Sequence, residues 1–233
     1  MTMSRATLQA SLIAIALAMS AAASEPSSDG ASKAEDPLAP LNRKVLALNY
    51  VLDRAVLRPA SRVYRRVVPG FARTGVRNVL NNVIEPRTVL NQCLQGKLGA
   101  AASDAGRFIV NSTLGIGGLF DPATAMGLER HREDFGQTLG RWGFGTGPYL
   151  VLPVIGPSTF RDGGAKLVDV ATGPLNAVDD DAIRFGIGAL DRVDARARQT
   201  DLSGQWGDDP YVYLRELHLA RRAAEVEDDV QIE

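Results

Sequence analysis

The chain has 233 residues and a formal net charge of -1, from 26 Lys and Arg against 27 Asp and Glu; 45% of its residues are hydrophobic and 6% aromatic. This composition belongs to ordinary globular proteins of one or two domains, and without a basic excess it gives no support to nucleic-acid binding. The arginines are scattered along helical stretches, where a solvated face of mixed sign is expected. Cys93 is the one cysteine, which excludes an intramolecular disulfide and a cysteine metal cluster. A buried, inert thiol is expected there.

The opening stretch MTMSRATLQASLIAIALAMSAAASEP predicts a signal peptide over residues 1–23. Arg5 precedes an apolar run from Leu12 to Met19, and Ala21-Ala22-Ala23 stands before Ser24. Residues 24–35, rich in Ser, Ala, Gly and charge, predict a flexible lead-in. No later stretch offers 18 consecutive uncharged apolar residues, so any membrane role would come from amphipathic surfaces.

Past Asp36-Pro37, the residues Leu41, Val45, Leu48, Leu52 and Val56 recur at helical spacing, with Asn42, Arg43, Asn49 and Asp53 between them. An amphipathic helix ending near Arg58-Pro59 follows. Helical spacing continues through Tyr64, VVPG punctuates it at Val67 to Gly70, and Phe71 to Ile84 is helical again. Glu85-Pro86 is expected to start a new segment, since proline suits a first turn. Ala100 to Leu114 is rich in small residues and sets Ala101, Ala105, Phe108 and Ile109 on one side. Gly115 to Gly127 reads as a connector and Glu133 to Trp142 as a short helix.

The run GFGTGPYLVLPVIGPS, Gly143 to Ser158, is too short to cross a bilayer and carries Pro153 at its middle. It predicts a short hairpin: a core element, a glycine-rich ligand loop, or an apolar feature that meets lipid. Gly156-Pro157-Ser158 offers an N-cap for a helix through Val170. Ile183, Ile187, Leu190 and Ala197 mark another helix, and Asp209-Pro210 opens a last one through about Ala224. The tail from Glu225 is acidic and expected to be disordered. With no internal repeat and no alternating strand–helix rhythm, the fold class is mainly α.

Catalysis would need a nucleophile, a base and an orienting group. His131 and His218 are the only histidines, and neither stands in a His-Glu-x-x-His arrangement. Ser158 lacks a nucleophile elbow. LGIGGLFD, Leu114 to Asp121, lacks the last glycine of a dinucleotide fingerprint, and Gly96-Lys97 lacks the earlier glycine of a P-loop. Turn-forming glycines and structural histidines are the expected roles. No catalytic residue, metal site or cofactor is predicted.

Five segments occur in order: DPLAPLNR (Asp36 to Arg43), RTGVRNVLNNVIEPRTVLNQCLQGK (Arg73 to Lys97), GRFIVNSTLGIGGLFDPAT (Gly106 to Thr124), EDFGQTLGRWGFGTGPYLVLPVIGPSTFRD (Glu133 to Asp162) and DPYVYLRE (Asp209 to Glu216). Together they resemble the MlaA (VacJ) family of outer-membrane lipoproteins, over a domain of residues 36–225 followed by the acidic tail 226–233. The resemblance implies a ring-like bundle of amphipathic helices with a short glycine-flanked hairpin and a central amphipathic channel for phospholipids. It implies retrograde phospholipid transport that maintains outer-membrane lipid asymmetry, with a trimeric outer-membrane porin and a periplasmic lipid-binding shuttle as partners. It implies no enzyme and no cofactor. The family-motif positions are Asp36, Pro37, Asn42, Arg43, Asp121 and Pro122.

In that setting the apolar run is expected to border the lipid path or gate it, through Gly143, Gly145, Gly147, Pro148, Tyr149, Leu150, Leu152, Pro153, Ile155, Gly156 and Pro157. Two departures stand out. Ser24 occupies the place of the acylated lipobox cysteine, so no lipid anchor is predicted. Ala39 stands where many relatives have Glu. The expected location is the periplasmic face of the outer membrane, or the periplasm if attachment needs the missing acyl chain; a soluble periplasmic lipid carrier or envelope scaffold of the same fold is the alternative.

Overall fold

A computed structural model describes residues 36–199 and 209–228. The expected signal peptide, the lead-in and the last five residues of the tail lie outside the described residues. The described chain is mainly helical. Helix α1 (Ala39–Leu52) runs through one π-helical stretch (Asp53–Leu57) into α2 (Arg58–Val67), followed by α3 (Gly70–Leu94), α4 (Leu98–Thr113), the single turn α5 (Pro122–Ala125) and α6 (Phe135–Arg141). Strands β1 (Tyr149–Leu152) and β2 (Gly156–Thr159) then lead to α7 (Phe160–Thr172), a 3-10 turn (Pro174–Ala177), α8 (Asp181–Arg198) and α9 (Pro210–Glu227). The described residues divide into two compact units, one of residues 36–51, 134–171 and 209–228, the other of residues 52–133 and 172–199. Among the described residues no helix is long and apolar enough to cross a membrane.

In the second unit α3 packs along α4, and the facing surfaces are polar. Asn82, Glu85, Thr88, Asn91 and Gln92 are buried on α3, and Asp104, Arg107 and Asn111 on α4. Gln92 Nε2 donates to Asp104 Oδ2 at 2.6 Å and Asn82 Nδ2 to Ser112 Oγ at 2.9 Å. Arg107, 2% exposed, lies 3.5 Å from Glu85 and donates to both oxygens of Asp121 at 3.0 and 2.9 Å. Leu80 and Ala101 are buried with them, but several large apolar side chains point the other way: Leu90, Leu98, Ile109 and Leu114 are exposed. On α4 the inward stripe is Ala101, Asp104, Arg107 and Asn111, while Ile109 faces out.

Pro86 lies inside α3 rather than at the start of a new segment. A mid-helix proline lacks the N–H that would bond the carbonyl four residues back and costs about 3 kcal/mol. The face that brackets it, Asn82, Glu85 and Thr88, is buried where α3 packs along α4, and that packing offsets the local cost. Cys93 is exposed, not buried. Arg107, Arg161 and Arg222 are buried against carboxylates instead of lying on a solvated face.

The first unit has a small apolar core of Leu46, Tyr149, Val151 and Tyr211, with Val45, Tyr50, Leu214 and Leu219 packed against it. Beside it lies an ion-pair network. Arg222 donates to both oxygens of Asp134 at 3.0 Å, to Asp162 at 2.9 Å and to Glu225 at 2.7 Å, while Arg161 donates to Asp162 at 2.9 Å. Burial alone would raise the Asp134 and Asp162 carboxyls; the charge of Arg222 overrides it and holds both below the usual carboxylate range. Glu225 thus belongs to α9, which runs to Glu227, so the disorder expected from Glu225 onward does not begin there.

Asp134 also caps α6 by accepting from Gln137 N at 2.9 Å, a capping arrangement set by the spacing of three. Thr159, rather than Ser158, caps α7, its Oγ1 accepting from Asp162 N at 3.1 Å. The network needs glycine on α6: a Cβ at Gly136 would stand 2.6 Å from Asp162 Oδ1 and 2.8 Å from Arg222 Nη2, and one at Gly140 would stand 2.8 Å from Arg161 Nη1. Gly136→Ala is therefore expected to lower stability by about 1–3 kcal/mol, the usual range for overpacking, read as a reduced urea midpoint. An unchanged midpoint would show that the guanidinium can move aside freely.

Candidate functional site

The apolar run folds as the expected hairpin, with Tyr149 opposite Thr159 and Leu152 opposite Gly156. Its stem is prolonged by Phe160 N donating to Pro148 O at 2.9 Å and Arg161 N to Thr146 O at 3.1 Å. Gly143, Gly147 and Gly156 take positive φ, and Gly145 lies in the irregular segment that leads to the stem. Tyr149 and Val151 point into the core, Leu150, Leu152, Gly156 and Pro157 are half-buried, and the tip Pro153-Val154-Ile155 is exposed. The tip is a tight turn in which Ile155 N donates to Pro153 O at 2.7 Å, with Val154 at φ +66°. A β-branched residue rarely adopts that conformation unless its surroundings impose it.

What imposes it comes from α1. Asn42 Nδ2 donates to Tyr149 O and Asn42 Oδ1 accepts from Val151 N, both at 2.9 Å. Asn49 repeats the pattern: Nδ2 donates to Leu152 O at 3.0 Å and Oδ1 accepts from Val154 N at 2.8 Å. Each carboxamide thus bridges the carbonyl of one residue and the N–H two residues on, the groups that a neighbouring strand would otherwise pair. The registers match because seven helical residues rise about 10.5 Å and three strand residues span about 10 Å. Two asparagines seven apart can therefore clamp a hairpin along its length.

Around Asn42 gather two further motif positions, Asp36 and Arg43, together with Tyr211 and Asp209. Asp36 Oδ1 accepts from Leu38 N at 3.0 Å, and Tyr211 donates to Asp36 while accepting from Asn42. Burial and the Asp36 contact push the Tyr211 hydroxyl up to about 12. Arg43 makes a two-point ion pair with Asp209 at 3.0 and 2.6 Å and lies over the Tyr211 ring at 4.5 Å, while Asp209 caps α9. Pro37 stands in the turn before α1. Asp121 and Pro122 belong to the second unit, where Asp121 caps α5 and holds Arg107 and Asn111.

Sequence reasoning treated Asn49 as a polar spacer and did not single out Tyr211 or Arg222. The spacing of Asn42 and Asn49 was the available signal, and it acquires meaning only beside a strand edge.

The candidate nucleophile and histidines have structural roles. Ser158 is wholly buried and accepts from Lys166 Nζ at 3.1 Å, so no substrate can reach its hydroxyl. His131 Nδ1 lies 3.0 Å from Asp104 Oδ2, and its backbone N–H donates to the same carboxylate. His218 packs edge-on to Tyr149 with ring centroids 6.0 Å apart. Among the described residues no group of His, Cys, Asp and Glu is placed to hold a metal ion.

The chain matches the family model described as MlaA lipoprotein over residues 34–225. It belongs to the MlaA lipoprotein family. The intermembrane phospholipid transport system lipoprotein MlaA of Escherichia coli K12 is 34% identical over 192 residues, covering 80% of this chain and 76% of that protein. The MlaA lipoprotein of Haemophilus influenzae is 30% identical over 230 residues, covering 94% and 90%, and a protein of Rickettsia typhi is 36% identical over 201 residues, covering 84% and 80%. A solved structure from work on the structural basis for maintenance of bacterial outer membrane lipid asymmetry superposes with a TM-score of 0.74 at 34% identity, covering 83% of this chain and 100% of that one. The Asn42 clamp and the Arg107, Arg161 and Arg222 networks thus lie within the matched region of this member of the family.

Burial lowers His218 to about 4, with Arg222 and Lys166 adding to the effect and Asp162 opposing it. Between about pH 6.5 and 4 the unfolded chain binds the proton that the folded chain refuses, so its contribution to stability rises with pH across that window and is lost as pH falls through it. Buried Glu85, raised to about 7, contributes the opposite slope over nearly the same window, so the expected outcome is the difference: between pH 7 and 4 the unfolding midpoint of His218→Gln should fall less, or rise more, than that of the wild type. The same slope in the variant would assign it to other groups.

Proposed function

We propose that this protein moves phospholipid between membranes without a chemical step, helping to maintain outer-membrane lipid asymmetry, as the names of its relatives indicate for them. One observation carries the reading: beside a small apolar core, the described residues bury many amides and ions and leave many large apolar side chains exposed. In water this arrangement forgoes about 1.5–3 kcal/mol for each large apolar side chain left bare. Against acyl chains it forgoes nothing, and extended bare apolar surface marks an interaction site.

The task explains why the histidines and serine serve structure. A two-tailed phospholipid carries on the order of 30 methylenes at about 0.8 kcal/mol each, so passage through bare water faces roughly 24 kcal/mol. A path that keeps the tails in apolar surroundings and the headgroup hydrated removes most of that barrier. The proposed setting is the inner leaflet of the outer membrane, with a ring of amphipathic helices around the path, a trimeric porin beside it and a periplasmic lipid-binding protein as acceptor. The hairpin tip, Pro153 to Ile155, is proposed to border the path, with Asn49 setting its position.

Deleting the gene and measuring phospholipid exposed in the outer leaflet tests the role. Deletion is expected to raise it, the wild-type gene to restore it, and Asn49→Ala to restore it incompletely at normal abundance. Unaltered asymmetry on deletion would overturn the transport reading. Full restoration by Asn49→Ala would overturn only the role of the hairpin.

A further inference from the structure

The segment from Arg54 to Phe71 carries exposed groups for which a lipid path has no use. Its inner side is fixed on α8: Ser61 is buried, Leu57, Tyr64 and Val68 are half-buried, and Tyr64 donates to Asp194 at 3.2 Å. Asp53, just before it, accepts from Arg58 at 2.7 Å and Arg196 at 2.6 Å. These pairs settle which side of the helix faces out.

The outward side has two rows. Val56, Val63 and Val67 are 57%, 61% and 71% exposed, and Phe71, four residues on at the start of α3, is 82% exposed. Spacings of seven and four place the valines in one line. Arg62 and Arg66, four residues apart, form the adjoining row; Arg54 and Arg65, each two residues from a valine of the first row, lie further round the helix, and all four are exposed. Among the described residues none of these four arginines makes an ion pair, although most arginines elsewhere in the fold meet a carboxylate.

Neither water nor a dry protein interface suits both rows. Water leaves the valines and Phe71 bare, and a dry apolar partner would strand four cations. The boundary between headgroups and acyl chains accepts both at once, with the apolar row entering the acyl boundary and the guanidiniums reaching phosphate oxygens. Unpaired positive charge further selects headgroups with net negative charge, since a zwitterionic surface offers it little attraction.

We propose that the outward side of Arg54–Phe71 is an interfacial binding surface for anionic phospholipid, in which Arg62 and Arg66 engage the phosphates, Arg65 and Arg54 add positive charge on the flank, and Val56, Val63, Val67 and Phe71 seat in the acyl boundary. The proposal rests on the transport reading in that it places the protein at a phospholipid membrane. It adds the segment that meets the headgroups and the charge class it prefers.

The test is flotation of the full chain with vesicles of phosphatidylcholine alone and of phosphatidylcholine mixed with phosphatidylglycerol, at one ionic strength. The wild type is expected to partition roughly tenfold or more in favour of the mixed vesicles, given the contribution of each basic residue near an anionic surface. The triple variant Arg62→Gln, Arg65→Gln, Arg66→Gln should lose that preference while binding phosphatidylcholine as before, and the corresponding Lys variant should keep it. Far-UV circular dichroism checks that the exposed substitutions leave the helices intact. Equal partitioning of the wild type onto both compositions, or a preference retained by the Gln variant, overturns the inference and leaves the transport reading standing. Binding to neither vesicle overturns both.

Discussion

A guanidinium or carboxylate removed from water must find charged and hydrogen-bonding partners, and the cost of leaving one unmatched reaches several kcal/mol. The chain meets this demand at two centres, Arg107 with Glu85 and Asp121 in one unit and Arg222 with Asp134, Asp162 and Glu225 in the other. Much of the rest is arranged around them. Gly136 and Gly140 leave room for Arg222 and Arg161, Asp134 and Asp121 double as helix caps, and Pro86 stays within α3 beside a buried polar face. Polar side chains take much of the inside, beside a few apolar ones such as Leu46, Leu80 and Leu139, and many large apolar side chains are left outside.

That inversion joins the fold to the function. In most water-soluble folds the apolar stripe of an amphipathic helix turns inward, and polar groups keep the surface wet. Here Asn42 is buried on α1 while Leu41 and Leu48 are exposed, and Arg107 is buried on α4 while Ile109 is exposed. The hairpin obeys the same logic at smaller scale. Its edge is satisfied by two carboxamides on α1 instead of a third strand, and its apolar tip is thereby held outward in a backbone conformation that valine rarely takes.

Much of this was legible in the sequence. Helical spacing located α1, α4 and α8, the Asp209-Pro210 pair opened α9, and the glycine-proline pairs bracketed the hairpin. Periodicity, however, reports that a helix has two faces without saying which faces in: a stripe of Ala105, Phe108 and Ile109 looks the same whether water or lipid lies outside. Pro86 misled because local propensity disfavours proline within a helix, and tertiary packing outweighed it. Asn49 was invisible as a clamp because its partners are backbone atoms more than a hundred residues away. The buried arginines were read as solvated because a charged residue carries no sign in sequence of the carboxylate it will meet.

The native thiol offers the most direct test of the outward apolar surface. Cys93 is exposed on α3 beside exposed Leu90 and Leu94, so a fluorophore placed on it reports what that face touches. Labelled protein would be reconstituted into bilayers whose lipids carry spin labels on the acyl chains, with Ile109→Cys in a Cys93→Ser background as a second site on α4. The account predicts strong quenching at both positions by acyl-chain labels and weak quenching by an aqueous quencher. The reverse pattern, quenching from water and none from the chains, would contradict it.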